Sequence, residues 1–134
     1  MKKNLSRQGI IFWITGLSGS GKTTLAKNIK NFVSKNYGPT VCIHGDEIRN
    51  TFNLKSYSKS DRLKIGKMYV KLIKILINQR INVIFSVVGL FHELQRYNRR
   101  TFKNYLEIFI KSDIQDFIKK KRKIFYKKKM NFIW

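Results

Sequence analysis

Between Gly16 and Thr23 the chain reads Gly-Leu-Ser-Gly-Ser-Gly-Lys-Thr, directly after the apolar run Ile10-Ile11-Phe12-Trp13-Ile14. This is G-x-x-x-x-G-K-[ST] set between a strand-like and a helix-compatible segment, the context that gives the pattern physical meaning. Glycines at these positions let the backbone curl until several N–H groups converge on one phosphate. Lys22 then reaches the outer phosphates, and the Thr23 hydroxyl is the candidate ligand for Mg²⁺. The following residues, Thr24 to Val33, favour a helix whose N-terminus adds its positive dipole end to the same anion site. The expected nucleotide-phosphate site is therefore Gly16, Leu17, Ser18, Gly19, Ser20, Gly21, Lys22, Thr23 and Thr24. A glycine-rich turn with no ligand would leave Lys22 without a role.

Downstream, apolar runs alternate with helical patterns, which predicts repeated β-α units and a parallel sheet covered on both faces. Strands are expected at Ile10–Thr15, Thr40–His44, Asn82–Val88 and Tyr105–Ile110, and helices at Lys22–Lys35 and Phe91–Thr101, with a short helix or turn at Gly45–Phe52. Ser58-Lys59-Ser60-Asp61 is a capping box opening a long helix that ends near Gln79-Arg80. In it Ile65, Met68, Leu72, Ile75 and Leu76 recur at helical spacing and are expected in the core. A second capping box, Ser112-Asp113-Ile114-Gln115, predicts a helix over Asp113–Lys121. The expected fold is a three-layer α/β/α P-loop NTPase with a parallel sheet of four to five strands. Residues 1–134 are expected to form one P-loop kinase-like domain, with a basic lid or C-terminal segment at about 119–134.

Composition sets outer bounds. With 43% apolar residues and ten Phe, the chain can build a core. The lone cysteine, Cys42, excludes an internal disulfide and fits a reducing compartment. No apolar run approaches the length of a bilayer span, so a cytoplasmic protein with no membrane partner is expected. The net charge of +22 attracts polyanions at low salt. The abundance of Lys, Ile, Asn and Phe favours compositional drift as its origin, and nucleic acid is not the expected partner.

After the second strand comes His44-Gly45-Asp46-Glu47-Ile48-Arg49. In a parallel sheet the carboxyl end of that strand lies beside the phosphate loop, where ligands bind. A carboxylate there can orient or deprotonate an attacking hydroxyl or hold Mg²⁺, and an arginine three residues on can clamp a phosphate or sulfate. The alternative is an ordinary acid in a first helical turn beside a surface arginine. His44 and His92 are both candidate proton acceptors, and His44, beside the loop, is the one placed to reach water on a metal ion.

In these residues the chain resembles the adenylylsulfate kinases. That family pairs a GLSGSGKTT-type loop with a D-G-D-x-x-R segment and an aromatic-Ser-x-x-Asp-Arg segment, here Gly16–Thr24, His44–Arg49 and Tyr57-Ser58-Lys59-Ser60-Asp61-Arg62. The resemblance runs on through Asn82–Val88 to Lys123 and Tyr126, where the family has K-G-L-Y. It implies ATP and Mg²⁺ as cofactors and transfer of the γ-phosphoryl to the ribose 3′-hydroxyl of adenylyl sulfate. Carried over by position, Lys22 and Asp46 are catalytic, Arg49 and Arg62 hold the anionic nucleotide substrate, and Tyr57 stacks on its base. Basic lid residues such as Lys120 or Lys123 close over the transferred group. As the family commonly dimerises, the resemblance also implies a homodimer.

Several positions depart from the family pattern. His44 stands for the first Asp of D-G-D, Ile65 for a substrate-contacting Asn, and Lys67-Met68 for a basic pair. Gly89-Leu90-Phe91-His92 stands for Ser-Pro-aromatic-Arg, which closes any covalent serine route, and Ile124 replaces the glycine of K-G-L-Y. The family continues beyond Trp134, so a shortened member is expected. Two alternatives stay open. The stretch Phe91–Arg99 is similar to relatives found with capsule and surface-sugar genes, some of which phosphorylate other nucleotide conjugates such as cytidine diphosphoramidate. A non-catalytic domain that binds nucleotide, or RNA through the basic, aromatic-bearing tail, is the other.

Overall fold

The structure, a computed structural model, describes residues 8–89 and 91–111. Among these residues four strands and four helices follow in the order β1 (Ile11–Gly16), α1 (Lys22–Tyr37), β2 (Thr40–His44), α2 (Gly45–Thr51), α3 (Lys59–Asn78), β3 (Asn82–Val87), α4 (His92–Thr101) and β4 (Tyr105–Ile110). All pairings are parallel and the sheet order is β2-β3-β1-β4. The helix expected over Asp113–Lys121, its Ser112 cap and the basic segment 119–134 lie outside the described residues.

β1 is central, and its alternation divides the core. Ile11 and Trp13 point to one face, where they join Val83 and Phe85 of β3 and the buried side of α3. Phe12 and Ile14 point to the other, against Ile84 and the Ala26 and Val33 side of α1. A strand buried on both faces must be apolar throughout, which is why β1 and β3 read as continuous apolar runs. Trp13 and Tyr69 both pack on the Phe85 ring, at centroid distances of 4.8 and 5.1 Å.

α3 begins as its sequence requires: the Ser58 hydroxyl accepts the Asp61 N–H at 3.2 Å, and Asp61 lies in the first turn beside the positive dipole end. Its buried face differs from the expected stripe. Ile65, Gly66, Tyr69, Val70, Ile73 and Ile77 meet the sheet and α4, whereas Met68, Leu72 and Ile75 are 51%, 39% and 57% exposed. From Met68 to Ile77 the helix is apolar nearly all round, so two stripes satisfy helical spacing. The sheet selects the one carrying Gly66, at which α3 closes on Leu94 of α4.

Candidate active site

The carboxyl ends of β1, β2 and β3 converge at one edge of the sheet, and the glycine-rich loop turns there into α1. Gly19 (φ +82°) and Gly21 (φ +99°) hold left-handed conformations that residues with a Cβ adopt at a cost. Gly21 is the N-cap of α1, and no acidic side chain occupies the first turn, so its positive end is uncompensated by the helix itself. Lys22 Nζ donates to the carbonyls of Gly16 and Leu17 at 3.0 and 2.9 Å. Burial lowers the Lys22 ammonium from 10.5 to about 8, against the opposing pull of the Asp46 carboxylate.

Asp46 owes its place to a local device. The His44 N–H donates to Glu47 Oε1 at 3.2 Å, which starts α2 at Gly45 and puts Asp46 in its first turn at the carboxyl end of β2. The Tyr69 hydroxyl reaches across from α3 to the Gly45 carbonyl at 3.4 Å and anchors that turn, while burial raises the phenol above its ordinary value.

Two hollows meet at Asp46. One is walled by Ser18, Gly21, Lys22, Thr23 and Thr24, with His44 and Ser86 also lining it. The other is lined by Arg49, Tyr57, Arg62, Ile65, Tyr69 and Phe91. Ser18, Gly45, Asp46, Val87 and Val88 belong to both, so the carboxylate stands at the junction. Of the nine loop residues expected at the phosphates, Ser18, Gly19, Gly21, Lys22, Thr23 and Thr24 face the first hollow. Leu17 is buried, and the Ser20 hydroxyl is buried without a hydrogen-bond partner among the described residues.

In the second hollow both arginines are held against rings. The Arg49 guanidinium lies 4.3 Å over Tyr57, and its Nη1 donates to the carbonyls of Leu54 and Ser56 at 2.9 and 3.0 Å. Tyr57 thus carries a guanidinium on one face. The Arg62 guanidinium lies 5.0 Å from the Phe91 ring. Arg62 is only 9% exposed, and its buried Nη1 has no hydrogen-bond partner among the described residues. Burial, then the nearby Arg49 charge, pulls its pKa down. Two adjacent cations, one with a donor unsatisfied, are chemically suited to an anion. Phe91, Tyr69, Gly66 and Leu94 were missed from the sequence. The signal for Tyr69 was a hydroxyl within an aliphatic stripe, which when buried needs a partner. His92 is exposed and lines neither hollow.

Among the described residues no three His, Cys, Asp or Glu side chains cluster as a metal cage. Thr23, Asp46, His44 and Ser86 face the first hollow instead. That sparse set suits Mg²⁺ arriving on nucleotide phosphates with its own waters.

The family model for adenylylsulphate kinase matches residues 8–132. The chain belongs to the adenylylsulphate kinase family. It is 34% identical to the cytidine diphosphoramidate kinase of Campylobacter jejuni, over 90% of this chain and 71% of that one. It is 31% identical to the adenylyl-sulfate kinase of Buchnera aphidicola, over 85% of this chain and 56% of that one. Among solved structures, the Mycobacterium tuberculosis APS kinase CysC, in complex with AMPPNP and APS, superposes with a TM-score of 0.78 at 23% identity, over 91% of this chain and 73% of that one. This family member therefore has the P-loop kinase fold and the phosphotransferase character of the family. No helix among its described residues is long and apolar enough to cross a membrane.

Proposed function

We propose that the chain is an ATP-dependent kinase that transfers the γ-phosphoryl group to the 3′-hydroxyl of adenylyl sulfate, giving 3′-phosphoadenylyl sulfate. One observation carries this reading: Asp46 lies where the hollow beside the glycine-rich loop meets a hollow lined by Arg49 and Arg62. Phosphoryl transfer needs two anionic substrates held end to end and little covalent chemistry. The loop amides and Lys22 hold the β- and γ-phosphates. Asp46 orients the attacking hydroxyl and takes its proton. Arg62, with its unsatisfied Nη1, and Arg49 hold the charged phosphosulfate of the acceptor, while Ile65, Leu94 and the aromatic rings give its base an apolar seat. Mg²⁺, when bound through Thr23, neutralises charge on the transferred group. Cytosolic residence, a single domain and a homodimer go with this reading.

A second acceptor, cytidine diphosphoramidate, is favoured by the 34% identity to the Campylobacter enzyme and by Ile65 in place of the family's substrate-contacting Asn. ADP release from Mg-ATP, measured with adenylyl sulfate, with cytidine diphosphoramidate and with no acceptor, separates the two. The expected result is turnover that requires adenylyl sulfate and falls at least a hundredfold in Asp46→Asn. Turnover with the cytidine conjugate alone moves the protein to the second reading. Nucleotide binding without turnover on either acceptor overturns both and leaves a nucleotide-binding domain.

A further inference from the structure

The hollow lined by Arg49 and Arg62 is shaped by two missing side chains. Gly66 lies within α3, where glycine weakens a helix, and no left-handed φ accounts for it. A Cβ at that position would stand 2.7 and 3.3 Å from the two methyl carbons of Leu94 on α4. A Cβ at Gly89, just beyond β3, would stand 3.9 Å from one of the same carbons, Leu94 Cδ2. The end of the Leu94 side chain therefore sits in a gap left open by glycines on two different segments. Leu94 is 3% exposed, yet it lines the hollow together with Gly66 and Gly89. Ile65, Val87 and Val88 continue this lining, and none of these six residues carries a hydrogen-bonding side chain. The side chains of such a wall select by shape.

We infer that the Gly66–Leu94 contact sets the room available to the base of the acceptor nucleotide, so that these two residues determine the choice between a purine and a pyrimidine. The inference rests on the reading of this hollow as the acceptor site. Both residues act on the base and neither on the transferred phosphoryl group. Their substitutions have opposite signs. Shortening Leu94 widens the seat, which admits a purine more readily and holds a pyrimidine more loosely. A methyl at position 66 narrows it, because the added carbon enters the lining and the end of the Leu94 side chain must move aside. Packing alone fixes Leu94 in the core cluster with Ile65 and Tyr69, and a purely structural role there would weaken both kinds of nucleotide alike.

The test is the affinity of AMP and of CMP, measured by calorimetry with the hollow beside the glycine-rich loop saturated by Mg-ADP. The proteins are the wild type, Leu94→Ala, Leu94→Val and Gly66→Ala, and the readout is the ratio of the two dissociation constants. Leu94→Ala should shift the ratio about tenfold toward AMP, the scale of selectivity that a missing methylene produces in an apolar pocket. Leu94→Val should shift it severalfold the same way, and serves if the larger truncation unfolds the core. Gly66→Ala should shift it toward CMP. A ratio that stays at the wild-type value in the folded variants, with both affinities changed equally or not at all, would make the contact ordinary packing and overturn the inference. So would a shift of the same sign for Gly66→Ala and the Leu94 truncations. A wild type that takes up neither AMP nor CMP beside Mg-ADP defeats the acceptor-site reading itself, and the role of the pair falls with it.

Discussion

Lys22 is a residue of the candidate site whose chemistry the fold alters visibly. Its ammonium titrates near 8 against an ordinary 10.5 because it is withdrawn from water, with Asp46 only partly compensating. Nucleotide phosphates favour the charged form, so above about pH 8 binding must draw a proton onto the lysine. Calorimetry in buffers of different ionisation enthalpy should therefore show uptake approaching one proton per nucleotide near pH 9 and almost none at pH 6.5. For stability the sign is separate: between about 8 and 10.5 the unfolded chain holds a proton that the folded chain lacks, so this group's contribution rises with pH. That Lys22, Thr23, Asp46, Arg49 and Arg62 line the two hollows could be anticipated from the sequence because each has a fixed offset from a recognisable punctuation. Ser86, Tyr69 and Phe91 could not. Their partners, His44, Gly45 and Arg62, lie 42, 24 and 29 positions away along the chain, and only sheet register and helix packing bring them together.

At the scale of elements, the strands were legible because β1 and β3 are apolar on both faces, and α3 because Ser58 announces it. The rotation of α3 was not, since its apolar residues surround the helix and only the packed sheet distinguishes them. One junction between elements is unusually exacting. Gly9 leads into β1, donates its N–H to the Ile77 carbonyl at the end of α3, and runs so close to the turn before β3 that a Cβ would stand 2.1 Å from the Ile81 carbonyl oxygen. The backbone on both sides of that clash is held, by the Gly9 N–H to the Ile77 carbonyl and the Ile81 N–H to the Leu76 carbonyl. Gly9→Ala should therefore cost roughly 1–3 kcal/mol of stability, as overpacking does, and appear as a lowered thermal midpoint with nucleotide affinity intact in the folded fraction.

For the whole molecule, +22 over 134 residues means self-repulsion that the fold must tolerate. Cations are stacked on rings, as with Lys67 over Tyr97 and Lys74 over Phe102, and Arg99 pairs with Glu107 at 2.6 Å, but seven acids cannot neutralise 29 bases. Raising salt from 0.05 to 0.5 M shortens the screening length severalfold and should raise the melting temperature by several degrees; a flat dependence would mean the charges are too dispersed to matter. The strand order carries a consequence for how such a chain comes into being. Ile11 of β1 pairs with Val83 and Tyr105, partners that are synthesised 72 and 94 residues later. At about 5–20 residues per second, the middle strand waits roughly 5–20 seconds on a translating ribosome for its second neighbour. Through that interval its apolar faces and unpaired amides are open to strangers, so safe passage in a cell depends on whatever shelters a nascent chain.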